Sequence, residues 1–379
     1  MCDEIYMAHA LRLARGGLFT TAPNPNVGCV IVHNNQIVGE GYHRRPGEAH
    51  AEVHALRMAG ERARDATAYV TLEPCSHFGL TPPCCNALIE AGIKRVVVAA
   101  EDPNPQVAGR GLKRLAEAGI EVNHGLMREE SYALNRGFFK RMLTGRPWVQ
   151  LKLAMSLDGR TAMASGESQW ITTTHARQDV QRFRAMSSAI LTSSATVLAD
   201  NPLLTVRWSE LNDDVVQQLS PAELRQPVRV VIDSQSRVMP THRLVSQTGE
   251  TWLARPQPDE QNWPAGVRQM TVPTANQRID IHKLLLLLGK EKINSLWVEA
   301  GASLAGALLQ AELVDELILY IAPKLLGDDA RSLCQLPGLA RLADGPAFRF
   351  TDCRQVGADL RLILTPEAAT GTQKLKQSL

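Results

Sequence analysis

The chain has 379 residues, 44% of them hydrophobic and 21% charged, with a net charge of +2. At roughly 100–200 residues per domain this length predicts two domains or three. The near-neutral balance excludes the global basic field of a nucleic-acid binder, and no run of roughly 18 apolar residues is present to span a membrane. The chain opens MCDEIYMAHA, with acids where a signal peptide carries bases and no apolar core segment, which predicts a cytoplasmic protein. Asp3 is predicted to cap a helix running to Gly16-Gly17, with Ile5, Ala8, Leu11 and Ala14 on one face. Val27 to Val32 reads as a strand, and Asn34-Asn35 as a turn into a second strand, Ile37 to Tyr42. Residues 51–60 read as a helix closed by Gly60, Ala68 to Leu72 as a strand, Pro82-Pro83 as the opening of a helix, Lys94 to Ala100 as a strand and 110–118 as a helix. Strands alternating with helices imply a layered α/β domain over residues 1–145.

Residues 143–148, LTGRPW, read as a connector. A second α/β series follows over 146–366, with strands at Val149 to Met155, Ala189 to Thr192, Val228 to Asp233, Ser295 to Glu299 and Leu317 to Ala322, and helices at 175–186 and 303–312. Residues 367–379 are polar and predicted to be a disordered tail. The cysteines, Cys2, Cys29, Cys75, Cys84, Cys85, Cys334 and Cys353, form an odd, scattered set. Such a set argues against a disulfide framework and leaves metal binding or burial.

Three pieces carry chemistry: His50-Ala51-Glu52, Pro74-Cys75 and Pro82-Pro83-Cys84. His and Cys are the preferred zinc ligands, and three protein ligands with one open position make a catalytic site. His50 and Cys84 stand at predicted helix starts, where the helix field favours thiolate. Glu52 is a poor soft-metal ligand and suits the role of proton shuttle. H-x-E followed by P-C and a further cysteine is the signature of zinc nucleobase deaminases. The usual ending is P-C-x-x-C. Here eight residues separate Cys75 from Cys84, and Cys85 competes for the third ligand position.

AHAEVHA, TLEPCSHFGLTPPC and EDPNPQVAGRG resemble the deaminase half of the bifunctional riboflavin-biosynthesis deaminase–reductases. KLAMSLDGRTA, SGESQWIT, SSATVLADNPLLTVR, VVIDS and WVEAGASLAGALLQAELVDELILYIAPKLLG resemble the reductase half. The resemblance covers almost the whole chain and is strongest to the enterobacterial type. It implies a cytidine-deaminase-like three-layer domain followed by a dihydrofolate-reductase-like domain. It also implies hydrolytic deamination of a diaminohydroxy-pyrimidine ribosylamino-phosphate at one Zn²⁺, then reduction of the ribose to ribityl by NADPH. His50, Cys75 and Cys84 become the zinc ligands and Glu52 the proton shuttle, with Asn24 and His43 against the pyrimidine or ribose. The position of Leu80 usually carries Arg or Lys and that of Phe78 often His. The nearest replacement cations by sequence are Arg44 and Arg45.

In the second half no G-x-G-x-x-G follows a strand, so a Rossmann site is excluded. Gly301 and Gly306 lie at a strand–helix junction, which suits a phosphate at a helix N-terminus. The resemblance extends this to a pyrophosphate site over Gly301, Ala302, Ser303, Leu304, Ala305, Gly306 and Ala307, and adds Ala154, Trp170, Thr196, Asp200 and Ser234 to the NADPH site. It places Ser168, Arg184, Leu204, Arg207 and Glu299 at the substrate, with the two arginines on its phosphate. Lys152 and Glu299 are polar residues within apolar strands. They are either an ion pair or the groups that hold the opened ribose, and the second reading is preferred.

The expected partners are small phosphorylated pyrimidines, with no nucleic acid and no membrane. A homo-oligomer is expected, for which LVDELILYIAPKLLG offers an apolar dimer face. A nucleic-acid base deaminase should carry a basic stripe and stacking aromatics, and aromatics are only 5% here. A structural zinc module wants four protein ligands where three stand out.

Overall fold

A computed structural model describes residues 2–76, 82–104 and 107–367. The predicted tail, apart from Glu367, and both Phe78 and Leu80 lie outside the described residues. The chain divides into two units, Met1–Gly145 and Arg146–Leu379.

The first unit runs α1 (Cys2–Ala14), β1 (Gly28–His33), β2 (Gln36–Tyr42), α2 (Ala51–Ala59), β3 (Thr67–Leu72), α3 (Cys84–Glu90), β4 (Arg95–Ala100), α4 (Arg110–Glu117), β5 (Glu121–His124) and α5 (Arg128–Thr144). Its five-stranded sheet has the order β2-β1-β3-β4-β5. Alternation along the strands builds the two faces. Cys29, Ile31, Ala68, Val70, Val96 and Val98 meet α2, α3 and α4 through Ala51, Ala55, Leu88 and Leu115. Val30, Val32, Tyr69, Val97 and Ala99 meet Met7, Ala10 and Leu11 of α1 on the other side. The result is a three-layer α/β/α unit.

One predicted face is corrected. Met7, Ala10, Leu11 and Ala14 are the buried side of α1, while Ile5 is 66% exposed. MAHALRLA offers two apolar sets at helical spacing, and the one that meets the sheet wins. Asp3 lies inside the first turn, and its carboxylate takes the Tyr69 hydroxyl and the Arg95 guanidinium instead of capping the helix.

The second unit begins with β6 (Trp148–Ser156), β7 (Arg160–Ala162), α6 (Thr174–Met186), β8 (Ala189–Ser193), α7 (Ser194–Asp200), α8 (Asp213–Val216), β9 (Val228–Ile232), α9 (Arg243–Ser246), β10 (Thr251–Arg255) and β11 (Val267–Thr271). After two short strands, β12 (Thr274–Ala275) and β13 (Arg278–Ile279), come α10 (Ile281–Lys290), β14 (Ser295–Glu299), α11 (Ala302–Gln310), β15 (Glu316–Ala322), β16 (Arg331–Ser332), β17 (Phe348–Val356) and β18 (Asp359–Pro366). The nine-stranded sheet has the order β11-β10-β9-β8-β14-β6-β15-β18-β17. Strands β11 to β15 in that order run parallel, and β18 and β17 close the edge antiparallel. α10 and α11 pack on one face and α6 on the other.

The predicted dimer face is corrected too. β15 pairs with β6 on one side and β18 on the other, and Leu317, Ile318, Leu319 and Tyr320 are buried. Its apolar run reflects burial on both faces of a mostly parallel sheet, not a free surface.

Candidate metal centre and cofactor site

The centre of the first unit is built from helix starts pressed onto the sheet. A Cβ at Gly39 would lie 2.1 Å from the Ala55 carbonyl oxygen, and one at Gly41 would lie 2.5 Å from the His54 Cβ. Two glycines on β2 therefore let α2 sit directly on the strand, with His50 as its N-cap residue. Cys75 follows the end of β3, and Cys84 opens α3 behind Pro83. Nδ1 of His50 lies 3.1 Å from Cys84 Sγ and 3.6 Å from Cys75 Sγ. The three ligand atoms fall within 4.8 Å of one another. Tetrahedral zinc at ordinary bond lengths separates N and S ligands by about 3.6 Å, so the donor set fits the ion. Cys85 turns away, with Sγ on the Pro74 carbonyl oxygen at 3.2 Å, and burial pushes its thiol up to about 12.

The two facing thiols behave as a pair. A hydrogen bond from Cys84, with further help from His50 and the Cys84 backbone N–H, holds Cys75 down to about 4. The hydrogen bond to Cys75, with burial and the nearby Glu52, pushes Cys84 up. A dication between the sulfurs favours thiolate at both. Glu52 is 3% exposed, burial raises its carboxyl above the usual range, and Oε2 has no hydrogen-bond partner among the described residues. His43 is not the solvated histidine its strand-end position suggests. It is 3% exposed, burial lowers its pKa, Asn24 Nδ2 is 3.0 Å from Nε2, and its ring stands edge-on to His50 with centroids 5.2 Å apart.

Sequence reasoning missed the support of this centre. Buried Glu73 accepts four backbone N–H groups, from Asp102 (3.2 Å), Gly109 (3.0 Å), Gly111 (2.8 Å) and Leu112 (3.3 Å). Asp102 is also buried, which raises its carboxyl to about 7. Both lie in or beside motifs that carried the resemblance, and the signal was a carboxylate directly before Pro74-Cys75.

In the second unit Thr196, Ser234, Glu299 and Gly301 stand at or just beyond the C-terminal ends of β8, β9 and β14, while Lys152, midway along β6, meets Glu299 in register and Ala154 follows two residues on. The C-terminal ends of the strands are where open α/β sheets take ligands. Arg184 closes its fork on Glu299 at 2.6 and 2.9 Å and gives its third nitrogen to the Thr205 carbonyl oxygen at 2.9 Å. Trp297 Nε1 donates to the same carboxylate at 2.9 Å. Burial opposes the charge on Glu299, but Arg184 and Lys152 prevail and hold it at about 2. Lys152 sits beside Glu299 in register, its side chain makes no hydrogen bond among the described residues, and burial lowers its pKa.

Arg207 forks onto Glu210 at 2.6 Å through both Nε and Nη2 and is 38% exposed. Leu204 is buried in the same apolar cluster as the stacked Phe183 and Trp297 rings. Ser168 is half-buried. Trp170 is 63% exposed, with the Arg177 guanidinium 4.5 Å above its ring. Thr196 lies in the first turn of α7, Asp200 ends that helix, and Ser234 Oγ accepts the Ile279 N–H. Between residues 301 and 307 the roles divide. Gly301 and Ser303 are exposed, Leu304, Ala305 and Gly306 are buried, and Ala302 and Ala307 are intermediate. A Cβ at Gly306 would lie 1.8 Å from the Gln335 carbonyl oxygen, so that glycine serves packing.

Residues 1–100 match the family model of the cytidine and deoxycytidylate deaminase zinc-binding region, and residues 147–362 match that of the RibD C-terminal domain. The riboflavin biosynthesis protein RibD of Escherichia coli is 67% identical over 365 residues, covering 96% of this chain and 99% of that one. The Haemophilus influenzae protein of the same description is 55% identical over 96% of this chain and 98% of its own length. Among solved structures, Acinetobacter baumannii RibD superposes with a TM-score of 0.90 at 46% identity, covering 97% and 99% of the two chains. A Thermotoga maritima protein described as a diaminohydroxyphosphoribosylaminopyrimidine deaminase/5-amino-6-(5-phosphoribosylamino)uracil reductase superposes with 0.84 at 32% identity, covering 96% and 99%.

Proposed function

The chain belongs to the RibD family of riboflavin-biosynthesis deaminase–reductases, and on that premise we propose how its residues divide the work. It is a zinc- and NADPH-dependent bifunctional enzyme. The first unit deaminates 2,5-diamino-6-(5-phosphoribosylamino)pyrimidin-4-one, and the second reduces the ribose of the product to ribityl phosphate. The observation that carries the reading is His50, Cys75 and Cys84 converging within 4.8 Å beside a buried Glu52. A structural zinc module would need a fourth donor, and Glu52 is the wrong chemistry for one beside two sulfurs.

Zinc held by His50, Cys75 and Cys84 supplies a nucleophile at neutral pH by acidifying its water. Glu52 would take the proton of the attacking water and deliver it to the ring nitrogen, then take the second proton from the hydroxyl now on the carbon and pass it to the departing amine, which leaves as ammonia. Asn24 orients His43, and the two meet the pyrimidine from the opposite wall. In the second unit NADPH supplies hydride to C1′ of the opened ribose. Gly301, Ala302, Ser303 and Ala307, with Ala154, Trp170, Thr196, Asp200 and Ser234, hold the cofactor along the sheet edge, while the buried Leu304, Ala305 and Gly306 pack the helix behind them. Lys152 and Glu299 hold the opened ribose; Arg184, expected on the substrate phosphate, has its guanidinium taken up by Glu299 and the Thr205 carbonyl and orients Glu299 instead; and Arg207 exchanges its Glu210 partner for the phosphate, with Ser168 and Leu204 completing the wall. The substrates are small molecules, so no nucleic-acid partner is assigned, and no helix among the described residues is long and apolar enough to cross a membrane. Cytoplasmic residence and a homo-oligomer complete the reading.

The test is ammonia release from the diaminopyrimidine nucleotide with and without zinc, followed by NADPH oxidation on the deaminated product. Metal-independent ammonia release, or NADPH oxidation that does not need the product, would overturn it.

A further inference from the structure

The segment that leads from α1 into β1 holds His43 at two points. Asn24 Nδ2 lies 3.0 Å from His43 Nε2, and the Val27 carbonyl oxygen accepts the His43 N–H at 2.9 Å. Asn26, between those two contacts, is gripped by α5. Asn135 Oδ1 accepts the Asn26 N–H at 2.7 Å, and Asn135 Nδ2 donates to the Asn26 carbonyl oxygen at 2.9 Å. The side-chain amide thus offers Asn26 the acceptor and the donor that a neighbouring strand would offer. Asn26 Nδ2 adds a bond to the Leu134 carbonyl oxygen at 3.3 Å.

The surroundings make this grip rigid. Asn135 is 3% exposed and leaves the helical conformation inside α5, with φ −120° and ψ 17°. The helix gives up regular backbone at the residue whose side chain meets Asn26. One turn earlier the buried Ser131 donates to the Thr71 carbonyl oxygen, and Thr71 Oγ1 accepts the Gly28 N–H at 3.0 Å. Positions i and i+4 share a side of a helix, so one face of α5 is registered both to β3 and to this segment. Pro23 and Pro25 flank Asn24 and restrict its backbone, so a shift at Asn26 is passed on to Asn24 and not absorbed between them.

We propose that Asn135 is a positioning residue for deamination, which through Asn26 sets where Asn24 and His43 meet the pyrimidine. The proposal rests on the deaminase reading of the first unit and on the place of Asn24 and His43 in it. With the grip released the ring still binds but lies out of line with its nucleophile, and a displacement of about 1 Å can cost about 100-fold in rate. The loss therefore falls on kcat more than on KM.

The experiment uses the full chain with zinc. N135A removes both bonds to Asn26, N135D keeps an oxygen for the Asn26 N–H, and N24A with N24A/N135A completes a double-mutant cycle. Ammonia release gives kcat and KM, elemental analysis gives zinc content, and NADPH oxidation on the deaminated product is the control within the same chain. In N135A kcat should fall about 10- to 100-fold with KM within about threefold, and in N135D only about 3- to 10-fold. Zinc should match the wild type and NADPH oxidation should stay within about twofold of it. N24A should lose at least as much as N135A, and N135A should cost less than about threefold more in the N24A background, because Asn24 is what it positions. A wild-type kcat in N135A or in N24A would overturn the proposal. Losses that multiply in the double variant, or that follow lost zinc, would make Asn135 a stability residue and overturn it as well, and none of these results touches the deaminase reading. Zinc-loaded wild-type protein that releases no ammonia would remove that reading and the proposal with it.

Discussion

Glu52 is a carboxyl held where a charge is costly, with one oxygen lacking any hydrogen-bond partner among the described residues. Glu52→Ala should keep the zinc, because the three donors do not include it, and should lower deamination by roughly 10²–10⁴-fold, the usual worth of a positioned acid–base group. Elemental analysis showing metal loss would make it a ligand instead. Glu299 sits in the opposite situation. Its pKa falls from 4.5 to about 2, so the pair stabilises the fold above the unfolded value and that contribution fades as pH falls through the folded one. Unfolding by urea should therefore show a wild-type loss between about pH 4.5 and 2 that Glu299→Gln lacks. At pH 7 the variant should be weaker by about 3–5 kcal/mol, since Arg184 and Lys152 lose their counter-charge. Parallel pH curves would refute the assignment. The zinc donors were legible in the sequence because few residue types bind zinc and their motifs are compact. Glu73 and Asp102 were not, because a carboxylate that organises backbone N–H groups looks like any other until the loop folds around it.

At the scale of elements, Glu73 ties the loop after β4 and the start of α4 to the segment that ends in Cys75. Glu73→Gln turns an amide toward donors that need an acceptor, and should cost about 3 kcal/mol together with weaker zinc binding. Urea unfolding and a competitive chelator titration read the two effects, and unchanged values in both would show that the loop holds itself. Elements with a plain period were readable: β1, β3, β4, β6, β8 and β14 stand within a residue or two of expectation. α5 was missed because its buried side includes Ser131, Asn135 and Lys140, which hide the apolar stripe, and because Asn135 breaks the helical backbone. The β17–β18 pair was missed for a related reason, since β17 is largely exposed and alternates weakly.

Over the whole molecule, the zinc motif lies before Gly145 and the cofactor motifs after it. In the full chain, Cys75→Ser should abolish deamination and leave NADPH oxidation on the deaminated substrate within about twofold, because ligand loss acts through the metal alone. A folded variant that fails at both would mean that the two activities share one site. The registers carry a further consequence for how the protein is made. Every strand of the first sheet is present once His124 has been synthesised, and α5 completes that unit by Thr144. The second sheet is different, since its inner strand β6 comes first in sequence and pairs only with β14 and β15, Trp148 meeting Ser295 and Leu151 meeting Leu317. On the ribosome β6 must therefore wait, with Val149, Leu151 and Leu153 uncovered, until almost the whole chain has emerged. Arrested nascent chains ending near residue 290 should carry a protease-resistant first unit and a second half that is cut freely, whereas release of the full chain should protect both. Early resistance of the second half would show that β6 finds another partner during synthesis.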